Sequence, residues 1–261
     1  MTSAATFPLL TVEALLATLL LSVRLAPVLV MTPVLGSVRL PSSVKALVVL
    51  GLSAVLVLGL PPEALPRMLQ LDAAALLVAA ITELVLGAAL AFGLICAFAA
   101  FSMAGRIIDA QAGFGVAQLF DPATRSQMPV VASAFAQIAL VLFFLLDIHH
   151  AVMRGLALVV EKIPPGASFD LAAAAPMVLT QAGALFALGF ALVAPVVFWL
   201  LLVELGLSVL ARALPQMNIL LLGMPVRILA AMLGLALWLK FSFGVMSKTF
   251  TTMLEGWSWL T

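Results

Sequence analysis

Charged residues are scarce in this chain of 261 residues, since Asp, Glu, Lys and Arg together make up only 9% of it. A soluble domain is about a quarter charged and about half apolar, whereas here 65% of the residues are hydrophobic. One globular core could not bury so much apolar surface, so lipid or other apolar subunits must cover the rest. The composition excludes an ordinary soluble domain and predicts an integral membrane protein.

Net charge and cysteine are lacking as well. The formal net charge is +1, which excludes the basic stripe that nucleic-acid binding requires. The single cysteine, Cys96, excludes an intrachain disulfide and a thiolate metal cluster. No basic residue precedes Arg24, so the N-terminal segment does not resemble a signal peptide and is expected to remain as a helix.

The common catalytic motifs are missing from the sequence. It has no Walker lysine motif, no Gly-x-Ser-x-Gly and no His-Glu-x-x-His, and the dinucleotide-like start "GFGVAQ" carries Gln118 in place of the third glycine. His149 and His150 are adjacent, so on an ideal helix they point about 100° apart. We expect them to form a polar cluster with Asp147 at a helix end, and we predict neither a metal site, nor a cofactor, nor enzymatic activity.

Long apolar stretches dominate what is present. A membrane-spanning helix needs about 20 mostly apolar residues, and backbone polar groups in lipid must be satisfied within the segment. The sequence therefore predicts an all-α integral membrane protein with about six hydrophobic helical segments. These segments are 9–35, 46–61, 73–105, 128–147, 171–204 and 217–239.

The predicted segments are uneven in length. The uncharged run 171–203 would reach about 50 Å as a straight helix, against a hydrocarbon core of about 30 Å. We expect such helices to tilt, to break at Pro176 and Pro195, or to stand partly outside the bilayer against apolar partners. The basic residues divide evenly between the two sets of loops, so charge does not set the topology.

Five charges fall inside apolar stretches. Each costs about 2.5–3.5 kcal/mol at the centre of a bilayer helix, so such residues usually face a cavity, a partner or each other. Two alternatives stay open, namely a proton or ion relay, and charges that bond neighbouring subunits or lie above the membrane plane. The five residues are Glu13, Arg24, Glu83, Glu204 and Arg227.

The segment from Gly113 to Pro129, "GFGVAQLFDPATRSQMP", interrupts this apolar pattern near the middle of the chain. Its glycines permit unusual backbone angles, and its Asp-Pro step is a helix-start signal. Irregular backbone at membrane depth survives only inside protein or beside a water-filled cavity. The segment suits a plug that lines a path, with an ordinary interhelical loop as the alternative. The predicted plug residues are Gly113, Phe114, Gly115, Val116, Leu119, Phe120, Asp121, Pro122, Met128 and Pro129.

Four stretches in order resemble one family. They are "RLAPVLVMTPVLGSVRLPSSVK", "GFGVAQLFDPATRSQMPVVA", "LFFLLDIHHAVMRGL" followed by "IPPG", and "ARALPQMNILLLGMPVRI". Together they are similar to the R subunit of the flagellar type III protein export gate (FliR) and to its injectisome counterpart (SctT). The resemblance runs from about residue 20 to residue 240.

The resemblance implies a non-enzymatic channel subunit in the bacterial inner membrane, at the flagellar basal body. One such subunit would join five P and four Q subunits, contact the B-type switch subunit and the export platform, and pass unfolded secreted proteins. It implies a P-like helical unit over 1–170, with the plug loop at about 106–129, and a Q-like helical hairpin over 171–261. Membrane lipid is the other expected partner, and nucleic acid is not one.

Alternatives to this reading remain. "DPATRSQMPVVA" resembles the flagellar form more closely, whereas "DIHH" and "LLLGMP" depart from the flagellar pattern, so the injectisome subunit is the first alternative. A secondary transporter would use Glu83, Arg227 and proline-broken helices as a midplane site, but it calls for an inverted repeat that is not evident. An intramembrane enzyme would need a nucleophile and a base, which the sequence does not assemble.

Overall fold

The structure is a computed structural model that describes residues 11–36, 39–61, 65, 72–114, 129–167, 175–214, 219–255 and 257. Within these residues every regular element is a helix, which confirms the predicted all-α fold. The elements are α1 (Val12–Ala26), a π-helical turn (Pro27–Met31), α2 (Pro33–Gly36), α3 (Ser42–Leu58), α4 (Ala73–Ala112), α5 (Val130–Leu145), α6 (Ile148–Lys162), α7 (Ala175–Ala213), α8 (Ile219–Leu239) and α9 (Phe243–Glu255).

Three helical stretches are long and apolar enough to cross a membrane, and they lie in α1 with its π-helical turn, in α4 and in α7. The count rises to five when α5 with α6, and α8 with α9, are each taken as one interrupted span. The remaining apolar helix, α3, has 17 residues. This pattern confirms an integral membrane protein and places a helix in each of the six predicted segments.

Two helices were missed by the sequence prediction, since 148–170 and the C-terminal tail lie outside its six hydrophobic segments. They are α6 and α9, and both are amphipathic, so their mean hydropathy stays below that of a span. The buried residues of α6 recur at helical spacing at Ile148, Val152, Leu156 and Val159, the stripe that a partly buried helix presents. Hydropathy alone does not find such helices because polar residues on one face lower the average.

Pro176 and Pro195 do not break α7, although such breaks were one of the three alternatives predicted from its length. Pro195 lies inside α7, which is helical over 39 residues, and Pro176 lies in its first turn, where a missing N–H costs nothing. Pro225 likewise lies inside α8. A helix of 39 residues measures about 58 Å, so α7 is far longer than a bilayer core is thick. Of the three alternatives, a break at Pro195 is therefore wrong.

The chain divides into two compact units, and α4 and α7 each supply residues to both. The first unit comprises 1–95, 147–182 and 253–261, and the second comprises 96–146 and 183–252. The predicted boundary near residue 170 lies in 168–174, outside the described residues, so the division into P-like and Q-like parts stays a prediction.

Each unit has its own core. In the first unit, small and aliphatic side chains of α1 pack against α3, with Ala17, Leu21 and Leu25 facing Val49 and Val57. In the second unit the core is aromatic and joins α4, α5 and α9. Phe250 lies 5.4 Å from Phe98 and 5.5 Å from Phe101, measured between ring centroids, within the range of favourable aromatic pairs. Burial of Phe250 explains why α9 folds as a helix.

Candidate functional site

The central segment leaves α4 and enters α5 through residues that the structure describes. Gly113 directly follows α4 and has a positive φ of 82°, a conformation that glycine adopts without strain. A Cβ at this position would meet nothing within 4 Å, so the requirement for glycine comes from the backbone and not from lack of space. Phe114 follows and is partly exposed, and Pro129 precedes the first residue of α5.

The remaining predicted plug residues lie outside the described part of the chain, which resumes at Pro129. Their role therefore stays a prediction, and the described residues bear only on how the segment is held. The undescribed members are Gly115, Val116, Leu119, Phe120, Asp121, Pro122 and Met128.

Asp109 fastens the two ends of the segment together. Its carboxylate is 5% exposed; Oδ1 accepts a hydrogen bond from the Val131 amide at 3.0 Å and Oδ2 one from the Ala132 amide at 2.9 Å. The first amides of a helix have no partner within the helix, and Pro129 provides no side-chain cap. The last turn of α4 thus caps α5 from 22 residues upstream, through charge-assisted hydrogen bonds.

A backbone contact reinforces this link. A Cβ on Gly105 would overlap the Cα of Ala132, so the two helices touch where no side chain separates them. Ile108 and Phe135, next to this contact, are fully buried. We call Gly105, Asp109, Val131 and Ala132 the α4–α5 anchor.

The sequence analysis did not identify Asp109. One signal was available: an acidic residue in the last turn of a helix is unfavourable next to the negative end of the helix dipole, so Asp109 needed donors from elsewhere in the chain. Which donors it finds depends on the packing of α4 against α5, and that packing is not visible in the order of residues.

The structure brings together two of the predicted intramembrane charges within the first unit. Arg24 on α1 and Glu83 on α4 are 1% and 2% exposed and form two parallel hydrogen bonds, Nε to Oε2 and Nη2 to Oε1, the latter at 2.9 Å. Arg24 Nη1 also donates to the Ile163 carbonyl at 2.8 Å, and Glu83 Oε1 accepts from the Gly166 amide at 2.9 Å. The pair therefore ties α1 and α4 to the turn that follows α6.

Glycine makes this pairing possible. A Cβ on Gly87 would overlap the backbone carbonyl of Arg24, so α1 and α4 approach closely one turn from Glu83. Small residues allow such approach between apolar helices. Glu13, by contrast, lies in the first turn of α1, where the helix dipole favours an acidic residue.

A second ion pair joins the other two predicted charges, within the second unit. Arg227 Nη2 on α8 lies 2.8 Å from Glu204 Oε1 on α7, and the two side chains are 39% and 54% exposed. Large apolar residues beside this pair are also exposed, among them Leu205 and Leu229. The transporter alternative required Glu83 and Arg227 in one site, but each of them pairs with a different residue.

The surface of α7 is largely uncovered by the part of the chain that the structure describes. Only 28% of its most apolar stretch is buried, compared with 67% for α4. Large exposed apolar patches mark contact with lipid or with another protein. The exposed large side chains of α7 are Leu179, Phe186, Phe190, Phe198, Trp199, Leu201, Leu202, Leu205, Val209 and Leu210.

Comparison with known proteins agrees with this architecture. Residues 15–253 match the model of the family described as bacterial export proteins, family 1. The chain is 32% identical to the flagellar biosynthetic protein FliR of Escherichia coli over 74% of this chain and 72% of that one. It is 29% identical to FliR of Aquifex aeolicus over 92% of each chain. It is also 26% identical to the Yop proteins translocation protein T of Yersinia pestis over 72% of each.

Proposed function

This chain belongs to family 1 of the bacterial export proteins, and from that premise we propose that it is a non-enzymatic channel subunit of the flagellar type III protein export gate. Membership makes it a membrane subunit of a type III export system. In the proposal it lies in the bacterial inner membrane at the flagellar basal body. One copy joins five P and four Q subunits, contacts the B-type switch subunit and the export platform, and helps to form the pore for unfolded substrates.

The central segment, Gly113 to Pro129, plugs this pore in the proposal. The observation that carries the assignment is the α4–α5 anchor, because it holds the two ends of the segment together by two hydrogen bonds and a backbone contact. A segment with fixed ends can be displaced by a passing chain without separating the helices that bear it. Gly113 supplies a turn at the start of the segment that costs no strain.

The uncovered face of α7 supports the assembly part of the proposal. A helix of about 58 Å with a mostly exposed apolar surface is longer than a bilayer core of about 30 Å. Lipid alone cannot cover it, whereas apolar helices of P and Q subunits can. The five charges then need no relay function, since four of them already pair within the chain.

The plug assignment is tested by replacing residues 115–121 with a Gly/Ser linker of the same length. Coexpressed with its P and Q subunits, the variant is expected to assemble normally and to make membranes permeable to small ions. The matched control replaces 64–70, between α3 and α4, in the same way and is expected to leave permeability unchanged. A central-segment variant that assembles and stays as tight as the parent contradicts the plug assignment.

The equivalent injectisome subunit is the second candidate function, and the similarity to the Yersinia translocation protein favours it. Complementation separates the two. Expressed in a flagellated bacterium that lacks its own R subunit, together with the P and Q subunits of the source organism, the chain is expected to restore motility. Restoration of effector secretion in an injectisome mutant, without restored motility, would favour the alternative.

A further inference from the structure

A cluster of metal-ligating side chains lies at the start of α6, away from the central segment and both ion pairs. Asp147 Oδ1 is 3.3 Å from His150 Nδ1 and 4.0 Å from His149 Nε2. One ligating atom from each of the three residues lies within 4.8 Å of the others. On an ideal helix, adjacent histidines are expected to diverge too far to share an ion. The long imidazole side chains, and an aspartate placed just before the helix, bring the ligating atoms together nevertheless.

The backbone at Asp147 is unusual in a way that serves this cluster. Its φ is 54°, the one positive value at a non-glycine residue in the described part of the chain. Residues other than glycine seldom adopt this conformation, although aspartate does so more often than most, and such outliers gather at functional sites. In this conformation Asp147 lies beside His150, whose Nδ1 is 3.3 Å from its carboxylate.

Asp147 also occupies the N-cap of α6 without capping it through its side chain. An aspartate at an N-cap normally accepts a hydrogen bond from an amide of the first turn. Here the His150 amide donates to the Asp147 backbone carbonyl instead, at 3.0 Å, while the Ala151 amide makes the ordinary first bond of the helix to the same carbonyl at 3.3 Å. The Asp147 carboxylate therefore does not cap the helix and lies next to the imidazoles. Asp72 differs, because its Oδ1 accepts a hydrogen bond from the Ala75 amide of α4 at 2.8 Å.

The spacing fits a tetrahedral ion. With metal–ligand bonds of about 2.0–2.2 Å, tetrahedral ligands lie about 3.3–3.5 Å apart, so the observed 3.3 Å needs no change and 4.0 Å needs to shorten by about half an ångström. The third distance, between the two imidazoles, lies within 4.8 Å and closes by rotation of the side chains. Two imidazoles and one carboxylate suit Zn²⁺ and neighbouring divalent transition ions. The positive end of the α6 dipole opposes a cation, so the affinity is expected to be moderate.

We propose that Asp147, His149 and His150 form a surface site for a divalent transition-metal ion of the zinc class, with water in the open coordination position. The bound ion would hold both imidazoles against the first turn of α6, where their ring centroids are already 4.1 Å apart. The proposal is independent of the proposed export function.

The composition of the chain makes the site easy to test. The sequence contains only two histidines, and its single cysteine is buried in α4. Any imidazole signal from the full chain, purified in detergent without a polyhistidine tag, must come from this cluster. Electron paramagnetic resonance with one equivalent of Cu²⁺ is expected to show coupling to two nitrogens. Coupling to one nitrogen or to none overturns the proposal.

A titration with Co²⁺ gives the quantitative test. One ion is expected to bind per chain with a dissociation constant below about 0.1 mM, at least about tenfold tighter than a weak 1 mM association. Asp147→Asn, His149→Gln and His150→Gln should each weaken binding by about tenfold or more, since even outer-shell changes cost that much. Asp72→Asn is the control and should leave binding unchanged. Weaker binding by the parent chain, or equal effects of Asp72→Asn and Asp147→Asn, contradict the site.

Discussion

The two ion pairs of this protein use the same residue types in opposite surroundings. Arg24 and Glu83 are almost fully buried and meet through two parallel bonds, with further hydrogen bonds to the Ile163 carbonyl and from the Gly166 amide. Arg227 and Glu204 meet through one bond of 2.8 Å on a partly exposed face. Arg227 Nε is buried and has no hydrogen-bond partner among the described residues.

Comparison of the two pairs identifies a surface that the described part of the chain leaves incomplete. The first pair forms a hydrogen-bond network that joins α1, α4 and the turn after α6 within one unit. The second pair leaves Arg227 Nε without a hydrogen-bond partner among the described residues and lies near exposed leucines of α7 and α8. A charge pair on an apolar face is costly in lipid, so this face is the one that we expect a partner subunit to cover.

Removing one member of the buried pair should have the largest effect. Glu83→Leu leaves the Arg24 guanidinium buried without a counter-charge, which costs about 3–5 kcal/mol. Thermal unfolding of the detergent-solubilised chain measures the loss. The double variant Arg24→Met/Glu83→Leu should recover most of it, because an apolar pair can replace a buried ion pair. A double variant no more stable than Glu83→Leu would show that the pair is not the source of the effect.

Removing the buried Asp109 carboxylate comes next. Asp109→Ala leaves two amides at the start of α5 without an acceptor, at a cost of about 1–3 kcal/mol. It should speed hydrogen exchange at Val131 and Ala132. Asp109→Asn keeps one carbonyl acceptor and should exchange at an intermediate rate. Equal exchange in all three proteins would mean that the anchor does not hold α5.

Enlarging Gly87 tests the approach of α1 to α4 on which the buried pair depends. Gly87→Ala puts a Cβ onto the Arg24 carbonyl and should destabilise by about 1–3 kcal/mol, the usual cost of overpacking. Gly51→Ala on α3 is the control, since its added Cβ meets nothing within 4 Å. That change should be neutral or should stabilise by up to about 1 kcal/mol. Similar melting temperatures for both variants would contradict the close approach.

Breaking the exposed pair should affect the isolated chain least. Glu204→Gln is expected to change its stability by no more than about 1 kcal/mol, as for other exposed pairs. Copurification with P and Q subunits should fall, and the charge swap Glu204→Arg/Arg227→Glu should restore part of it. A large loss of stability without any loss of assembly would show that this pair stabilises the chain itself, as the buried pair does, and does not serve subunit binding.

Much of the fold follows from the sequence because the strongest signals are local. Long, mostly apolar runs predict α4, α7 and α8, and spaced motifs indicate the family, since neither depends on tertiary packing. The two amphipathic helices escape because a hydropathy window averages over their polar faces. α4 also continues past Arg106 to Ala112, and Asp109 in its last turn accepts hydrogen bonds from two amides of α5.

The pairings could not be predicted, because they join residues that only packing brings together. Glu83 lies 59 positions from Arg24, and the sequence showed that each charge needs a partner without showing which. The same holds for Asp109, whose acceptors are filled by amides of another helix. For the cluster at α6, the ideal-helix angle concerned only the two imidazoles, and the order of residues does not indicate that Asp147 precedes the helix in a left-handed conformation.

Site-specific photocrosslinking in the assembled gate tests whether the central segment lies on the export path. A photoreactive residue is placed at Phe114 at the start of the central segment and, separately, at Leu229 on the exposed face of α8, while an export substrate is stalled in transit. Phe114 is expected to crosslink to the substrate and Leu229 to a neighbouring subunit or lipid. Substrate crosslinks from Leu229 and none from Phe114 would contradict the assignment of the central segment to the export path.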